Sequence, residues 1–148
     1  MIALALLAAV ASVAGFTPIS PNQLEVYPSS GVSRIGALSD YLPSLANTPG
    51  DTAVFVFEGK EPGGVMLVLG GTHADEAAGT VAALVIAENA QVAQGKLIVI
   101  PYANASAFTH NLPQEGHPSY YTLPAQGGER IIKYGSRLTN PVHQWPDP

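Results

Sequence analysis

Residues 67–89 read "LVLGGTHADEAAGTVAALVIAEN", and the fold turns on this stretch. An apolar run ends at Leu69, Gly70 and Gly71 follow, and His73 and Glu76 stand three apart before a long Ala-rich segment. Upstream, Val65–Leu69 is continuously apolar, the pattern of a strand buried on both faces. Downstream, 75–94 lacks proline and is rich in alanine, which predicts a helix. Val81, Leu84, Val85 and Val92 are expected on its core-facing stripe, and Gly95 is expected to stop it. Lys96–Ile100, "KLIVI", reads as the next buried strand, ended by Pro101.

Strand, helix and strand in so short a span predict a βαβ unit, and its crossover predicts a parallel sheet with helices on its faces. The expected fold class is α/β: a mixed, largely parallel sheet flanked by helices. Sites in such sheets form at the carboxyl ends of the strands. Residues 70–76 and 101–106 leave strands at that edge and are expected to be close neighbours.

Further out the signals weaken. Thr52–Glu58, "TAVFVFE", is β-branched and aromatic and reads as a strand, with 60–64 as a turn after it. Residues 19–51 are rich in Pro, Ser, Gly and Asn and read as a loose entry segment, with one short strand at Gln23–Tyr27. After Phe108, "RIIKY" at 130–134 is the one strand candidate. The α/β domain is expected over 52–148.

From Met1 to Phe16 every residue except Ser12 and Gly15 is apolar. A membrane span needs about 20 such residues. The stretch suits a signal peptide over 1–18, with small residues at Ser12–Ala14 for cleavage, although no Lys or Arg precedes Arg34. The expected location is periplasmic or extracellular, with an uncleaved leader as a membrane anchor the alternative. No stable membrane span is expected.

The chain of 148 residues suffices for one domain with a core. Charged residues make up 11% and the net charge is -5, with six Lys and Arg in all. Nucleic-acid binding needs clustered cations, so it is not expected. With no cysteine, disulfides, thiolate metal sites and a Cys nucleophile are excluded. Neither a G-x-S-x-G elbow nor a phosphate-binding P-loop occurs.

His73 and Glu76 at a helix start can turn toward one point, and zinc takes nitrogen and oxygen ligands of these types. The plainer alternative is that Glu76 complements the helix N-terminus while His73 packs in a loop. His110, His117 and His143 are either a third ligand or loop histidines. Asn104 and Ser106 read as residues that shape their loop through local side-chain bonds. Arg130, Lys133 and Arg137 read as a solvated face, or as cations attracting an anionic substrate. Tyr120, Tyr121 and Trp145 either line a pocket or plug the base of the fold.

"GGTHADEAAGTVAALVIAENA" at 70–90 and "GKLIVIPYANASAFTHN" at 95–111 resemble the succinylglutamate desuccinylase/aspartoacylase family of the zinc carboxypeptidase group. "GSRLTNPVHQWPDP" at 135–148 is similar to a segment of exported or uncharacterised members. The resemblance implies one zinc ion, His73 and Glu76 as two of its ligands, and hydrolysis of an amide bond. The implied substrate is an N-acyl amino acid or peptide that carries a carboxylate. Three departures stand out. Ala74-Asp75 replaces the usual Gly-Asn. Tyr102 stands where relatives carry a substrate-facing Arg, and with Asn104 it is the candidate substrate-binding residue. The family's Asn-Arg pair, third zinc ligand and catalytic Glu have no match here. On this reading the chain is the amino-terminal part of a longer enzyme, with its general base beyond Pro148. The alternative is a non-catalytic exported α/β binding module derived from the same family.

Overall fold

The computed structural model describes residues 5, 24–111, 116–125 and 128–143. Apart from Ala5, the expected leader lies outside the described residues, as do Gln23 and Trp145. Four strands form one sheet: β1 (Arg34–Ala37), β2 (Ala53–Glu58), β3 (Glu61–Leu69) and β4 (Gln94–Ile100). Their order is β1-β2-β4-β3. Helix α1 (Ala77–Asn89) connects β3 to β4. A second sheet is the hairpin of β5 (Tyr120–Ala125) and β6 (Gly128–Lys133). The mixed sheet with its helix gives the chain α/β character.

The βαβ expectation holds, because β3 and β4 are parallel, with Val65 opposite Lys96 and Leu69 opposite Ile100. The rest of the sheet is not as expected. β1–β2 and β2–β4 are antiparallel, so the described sheet is mixed but not largely parallel. Connection length gives the reason. β2 reaches β3 through Gly59 and Lys60 alone, too few residues for the crossover that a parallel relation demands. This short link passes over the start of β4, where Gly59 N–H donates to Gly95 O at 2.8 Å. The turn expected at 60–64 is therefore shorter, and Glu61–Gly64 already belongs to β3. A register irregularity falls between Glu61 and Val65, where Pro62 has no N–H to give the ladder.

The position of β3 is the larger correction. Its apolar run suggests burial on both faces, yet Val65, Met66, Leu67 and Leu69 are 68%, 63%, 56% and 53% exposed. β3 is an edge strand. Burial belongs instead to β2 and to the end of β4, both inside the sheet.

Helix α1 is shorter than expected, and its buried face keeps Leu84 of the expected stripe but not Val85. Thr80, Ala83, Leu84 and Ala87 are buried at i, i+3, i+4 and i+7, while Val85 is 54% exposed. Ala83 and Ala87 pack on Phe55, Phe57 and Val99 of the sheet. Small residues face the sheet because the helix comes close to it: a Cβ added at Gly70 would lie 2.5 Å from Ala83 Cβ. The helix ends at Ala90, whose backbone turns extended, and Val92 packs from the loop beyond. Gly95 is not the helix stop. It lies in β4 at φ 75°, where a Cβ would come within 2.3 Å of Gly64 O.

The opposite face of the sheet buries Val54, Val56 and Ile100 against Leu38, Ile98 and Ala103. The entry segment is more structured than its composition suggests. Residues 24–29 form no strand, but Leu24 and Val26 pack on the core, and β1 pairs with β2. The "RIIKY" expectation falls mainly on β6, whose Ile132 joins a cluster of Ala74, Leu84, Tyr102, Ala107 and Phe108.

Candidate functional site

The loops after β3 and β4 meet, as the βαβ reading requires. Gly70 N–H donates to Ile100 O at 2.9 Å, Ala103 N–H to Gly70 O at 2.8 Å, and Asn104 N–H to Gly71 O at 3.2 Å. Gly71 adopts φ 60°, and a Cβ there would stand 2.9 Å from the Phe108 ring. Only glycine fits this turn without strain. The turn lifts the chain away from the strand and delivers His73 and Glu76 together.

His73 Nδ1 and Glu76 Oε1 are 3.0 Å apart, with side chains 38% and 57% exposed. Glu76 stands at the N-cap of α1, but its side chain makes no capping bond. Its place at the helix N-terminus still complements the helix dipole, while the carboxylate is turned to His73 and to Arg137, whose Nη1 donates to the same Oε1 at 2.8 Å. The hydrogen bond from His73 is the main cause that holds the Glu76 carboxyl below its ordinary value, with Arg137 adding to it. The carboxylate is ionised at neutral pH and is a competent oxygen donor.

Arg137 reaches this point by backbone zipping. Gly135 N–H donates to Ala74 O at 3.1 Å, Ala74 N–H to Ser136 O at 3.2 Å, and Ser136 N–H to Ala107 O at 2.9 Å. A Cβ at Gly135 would lie 2.3 Å from Ala107 O, so this close approach also demands glycine. Arg137 is 61 residues from Glu76 in sequence, which is why residue spacing does not reveal it.

Two ligand atoms on a tetrahedral zinc at about 2.0–2.2 Å sit roughly 3.4 Å from each other. The separation of 3.0 Å between Nδ1 and Oε1 is close to that, and the nitrogen and oxygen donors suit zinc. His73 and Glu76 thus offer donor atoms of the types that zinc takes, held together here by a hydrogen bond. Among the described residues, no group of three or more His, Cys, Asp or Glu gathers to complete a zinc site. His117 stacks on Tyr134, with centroids 5.0 Å apart, and His143 bonds Ser106.

The substrate-binding candidates are placed as follows. Tyr102 is buried, edge-on to Phe108 at 5.0 Å, and burial pushes its phenol up to about 12. Its ring is part of the core beneath the loop. Asn104 caps the turn 105–109 by accepting from Ala107 N–H at 3.3 Å, and its amide donates to Thr139 Oγ1 at 3.0 Å. Asn104 shapes its loop, as its residue type suggests.

Of Arg130, Lys133 and Arg137, only Arg137 is well exposed, at 56% of its side chain. Arg130 pairs with Glu88 at 2.5 Å, and Lys133 is buried, with its amine pushed down to about 8 by desolvation. The aromatic alternatives divide. Tyr121 is half-buried, packs edge-on to Tyr134, and has its phenol pushed up mainly by burial. Tyr120 is 39% exposed.

A second cluster lies nearby and has no signal in local sequence. Ser106 Oγ and His143 Nδ1 are 2.7 Å apart, although 37 residues separate them in sequence. Among the described residues, no helix is long and apolar enough to cross a membrane.

No protein-family model matches the chain, and no curated protein matches it. Among solved structures, the chain is similar to the succinylglutamate desuccinylase/aspartoacylase from Rhodobacter sphaeroides, at 27% sequence identity and a TM-score of 0.37. That likeness is weak and partial: it covers 45% of this chain and 22% of that one.

Proposed function

We propose that His73 and Glu76 are two ligands of a zinc-dependent hydrolase that cleaves an amide bond beside a carboxylate, in an N-acyl amino acid or a peptide. The observation that carries this reading is the convergence of His73 Nδ1 and Glu76 Oε1, 3.0 Å apart, on the turn that follows a parallel strand. The resemblance of 70–90 and 95–111 to the desuccinylase/aspartoacylase family supports it from the sequence side. Zinc, when bound, supplies hydroxide near neutral pH and polarises a carbonyl.

The chain's own residues have separate parts. His73 and Glu76 hold the metal. Gly71 and Phe108 set the turn that aims them. Arg137 supplies the cation that Tyr102, with its ring in the core, does not bring, and a carboxylate-bearing substrate needs such a charge. Among the described residues, no third His, Cys, Asp or Glu gathers with His73 and Glu76. Export is part of the same proposal and rests on the apolar stretch 1–16.

Zinc titration of the purified chain, with the His73→Ala and Glu76→Ala variants, tests the reading. Weak one-to-one binding lost in both variants supports it. Binding untouched by either substitution overturns it and favours the non-catalytic binding module.

A further inference from the structure

We propose that Ser106 and His143 form a second reactive site, in which Ser106 Oγ takes an acyl group from a small uncharged ester. The direction of the hydrogen bonds carries the inference. Asn140 N–H points to Ser106 Oγ at 3.2 Å. A backbone N–H can only donate, so it occupies a lone pair of that oxygen. The hydroxyl proton is then free to point at His143 Nδ1, 2.7 Å away. We take the tautomer in which the imidazole accepts at Nδ1 and carries its own proton on Nε2. This is the relation between a nucleophile and its general base. The Asn140 N–H also steadies the charge that grows on Oγ as its proton leaves.

The pair is held from behind. Ser106 is 4% exposed and lies in the turn 105–109. Its carbonyl accepts from Thr109 Oγ1 at 2.7 Å, and Thr109 Oγ1 in turn accepts from Asn140 Nδ2 at 2.8 Å. Asn140 Oδ1 accepts from Val142 N–H at 3.2 Å, one residue before His143. Serine, histidine and backbone donor are therefore fixed relative to one another, as a positioned base requires.

Both groups line a pocket of about 440 Å³, within the range of small-molecule sites. Its far wall is the segment 45–50, where Asn47 takes φ 63°, the left-handed region. Among the described residues, the lining contains no Asp, Glu, Lys or Arg, so none of them would neutralise a charged ligand. Leu45, Pro49 and Val142 offer apolar surface, while Asn104 and Thr139, hydrogen-bonded to each other, add polar surface. A short-chain ester matches that mixture.

In the reaction, the Oγ–H proton passes to His143 Nδ1 as Oγ bonds to the acyl carbon. The bond from that carbon to the alcohol oxygen breaks, and the proton on Nδ1 leaves with the alcohol. Acyl-Ser106 and neutral His143 remain, and water reverses the sequence to release the acid.

The test is a burst experiment on the full chain with 4-nitrophenyl acetate and a metal chelator, followed by peptide mass spectrometry. The expected result is up to one equivalent of nitrophenolate and an acetyl group on Ser106. His143→Ala, with an unchanged circular dichroism spectrum, lowers the burst rate at least tenfold, and Ser106→Ala abolishes the label. Acetylation confined to lysines or the amino terminus overturns the proposal. Ser106 acetylation at the same rate in His143→Ala also overturns it.

Discussion

The two polar clusters above the sheet are built in opposite ways. His73, Glu76 and Arg137 meet with more than a third of each side chain exposed. Ser106, Asn140 and Thr109 sit in a network that includes buried groups and a backbone donor. Exposed ion pairs contribute little stability, since water and salt screen them. Hydrogen bonds to buried groups are costly to break, because each leaves a desolvated atom without a partner. The first cluster is free to exchange its internal contacts for a ligand. The second is fixed and can only receive what enters its pocket. Both depend on the same floor, in which Phe108 packs under Gly71 and against Tyr102.

The strongest challenge to this contrast is Phe108→Ala. Removing a fully buried ring is expected to cost about 3–5 kcal/mol, read by chemical denaturation. Both clusters should loosen together; loss of one with the other intact would show that they do not share a floor. Gly71→Ala is expected next. A side chain at φ 60°, 2.9 Å from the Phe108 ring, costs about 1–3 kcal/mol and should weaken zinc binding more than it affects Ser106 acylation.

Lys133→Met probes the buried side alone. Burial lowers this amine to about 8 from its ordinary 10.5, so the folded state disfavours the charged form. The penalty is full below about pH 8, shrinks as pH rises toward 10.5 and is gone above that value. At neutral pH the substitution should stabilise by about 1–3 kcal/mol, and the gain should fade in denaturation series from pH 8 to 10. A loss of stability at pH 7 would contradict the burial argument.

Arg137→Gln should have the smallest effect on stability, with a melting temperature close to that of the parent. Its consequence should be in metal affinity. Arg137 Nη1 occupies Glu76 Oε1 at 2.8 Å, so its removal frees that oxygen and should tighten zinc binding a few-fold in titration calorimetry. Weaker binding in the variant would mean that Arg137 orients the carboxylate for the metal instead of competing for it.

Much of this site was legible in the sequence. "GGTHADE" before an Ala-rich segment, with "KLIVI" beyond it, placed two loops at one sheet edge and brought a histidine and a glutamate together there. Local pattern sufficed because the strand, turn and helix are contiguous. The pattern could not place the strands in the sheet. "VMLVL" and "KLIVI" are almost equally apolar, yet one lies at the edge and the other inside, because position depends on pairing partners far along the chain. The helix misled for a related reason. Its bulkiest stripe looked like the core face, but close approach to the sheet selects Ala83 and Ala87. Arg137, Ser106 and His143 could be weighed singly, but the pairing of Arg137 with Glu76 and of Ser106 with His143 was out of reach, since each depends on a return of the chain after Lys133.

The most direct test of the central claim is a zinc titration followed through the imidazole nitrogen signals of the ¹⁵N-labelled chain. The account predicts that the His73 Nδ1 resonance moves first, saturates at one equivalent with a dissociation constant of roughly micromolar or weaker for a two-ligand site, and stays unmoved in Glu76→Ala. Zinc that shifts His110, His117 or His143 while leaving His73 in place would contradict it.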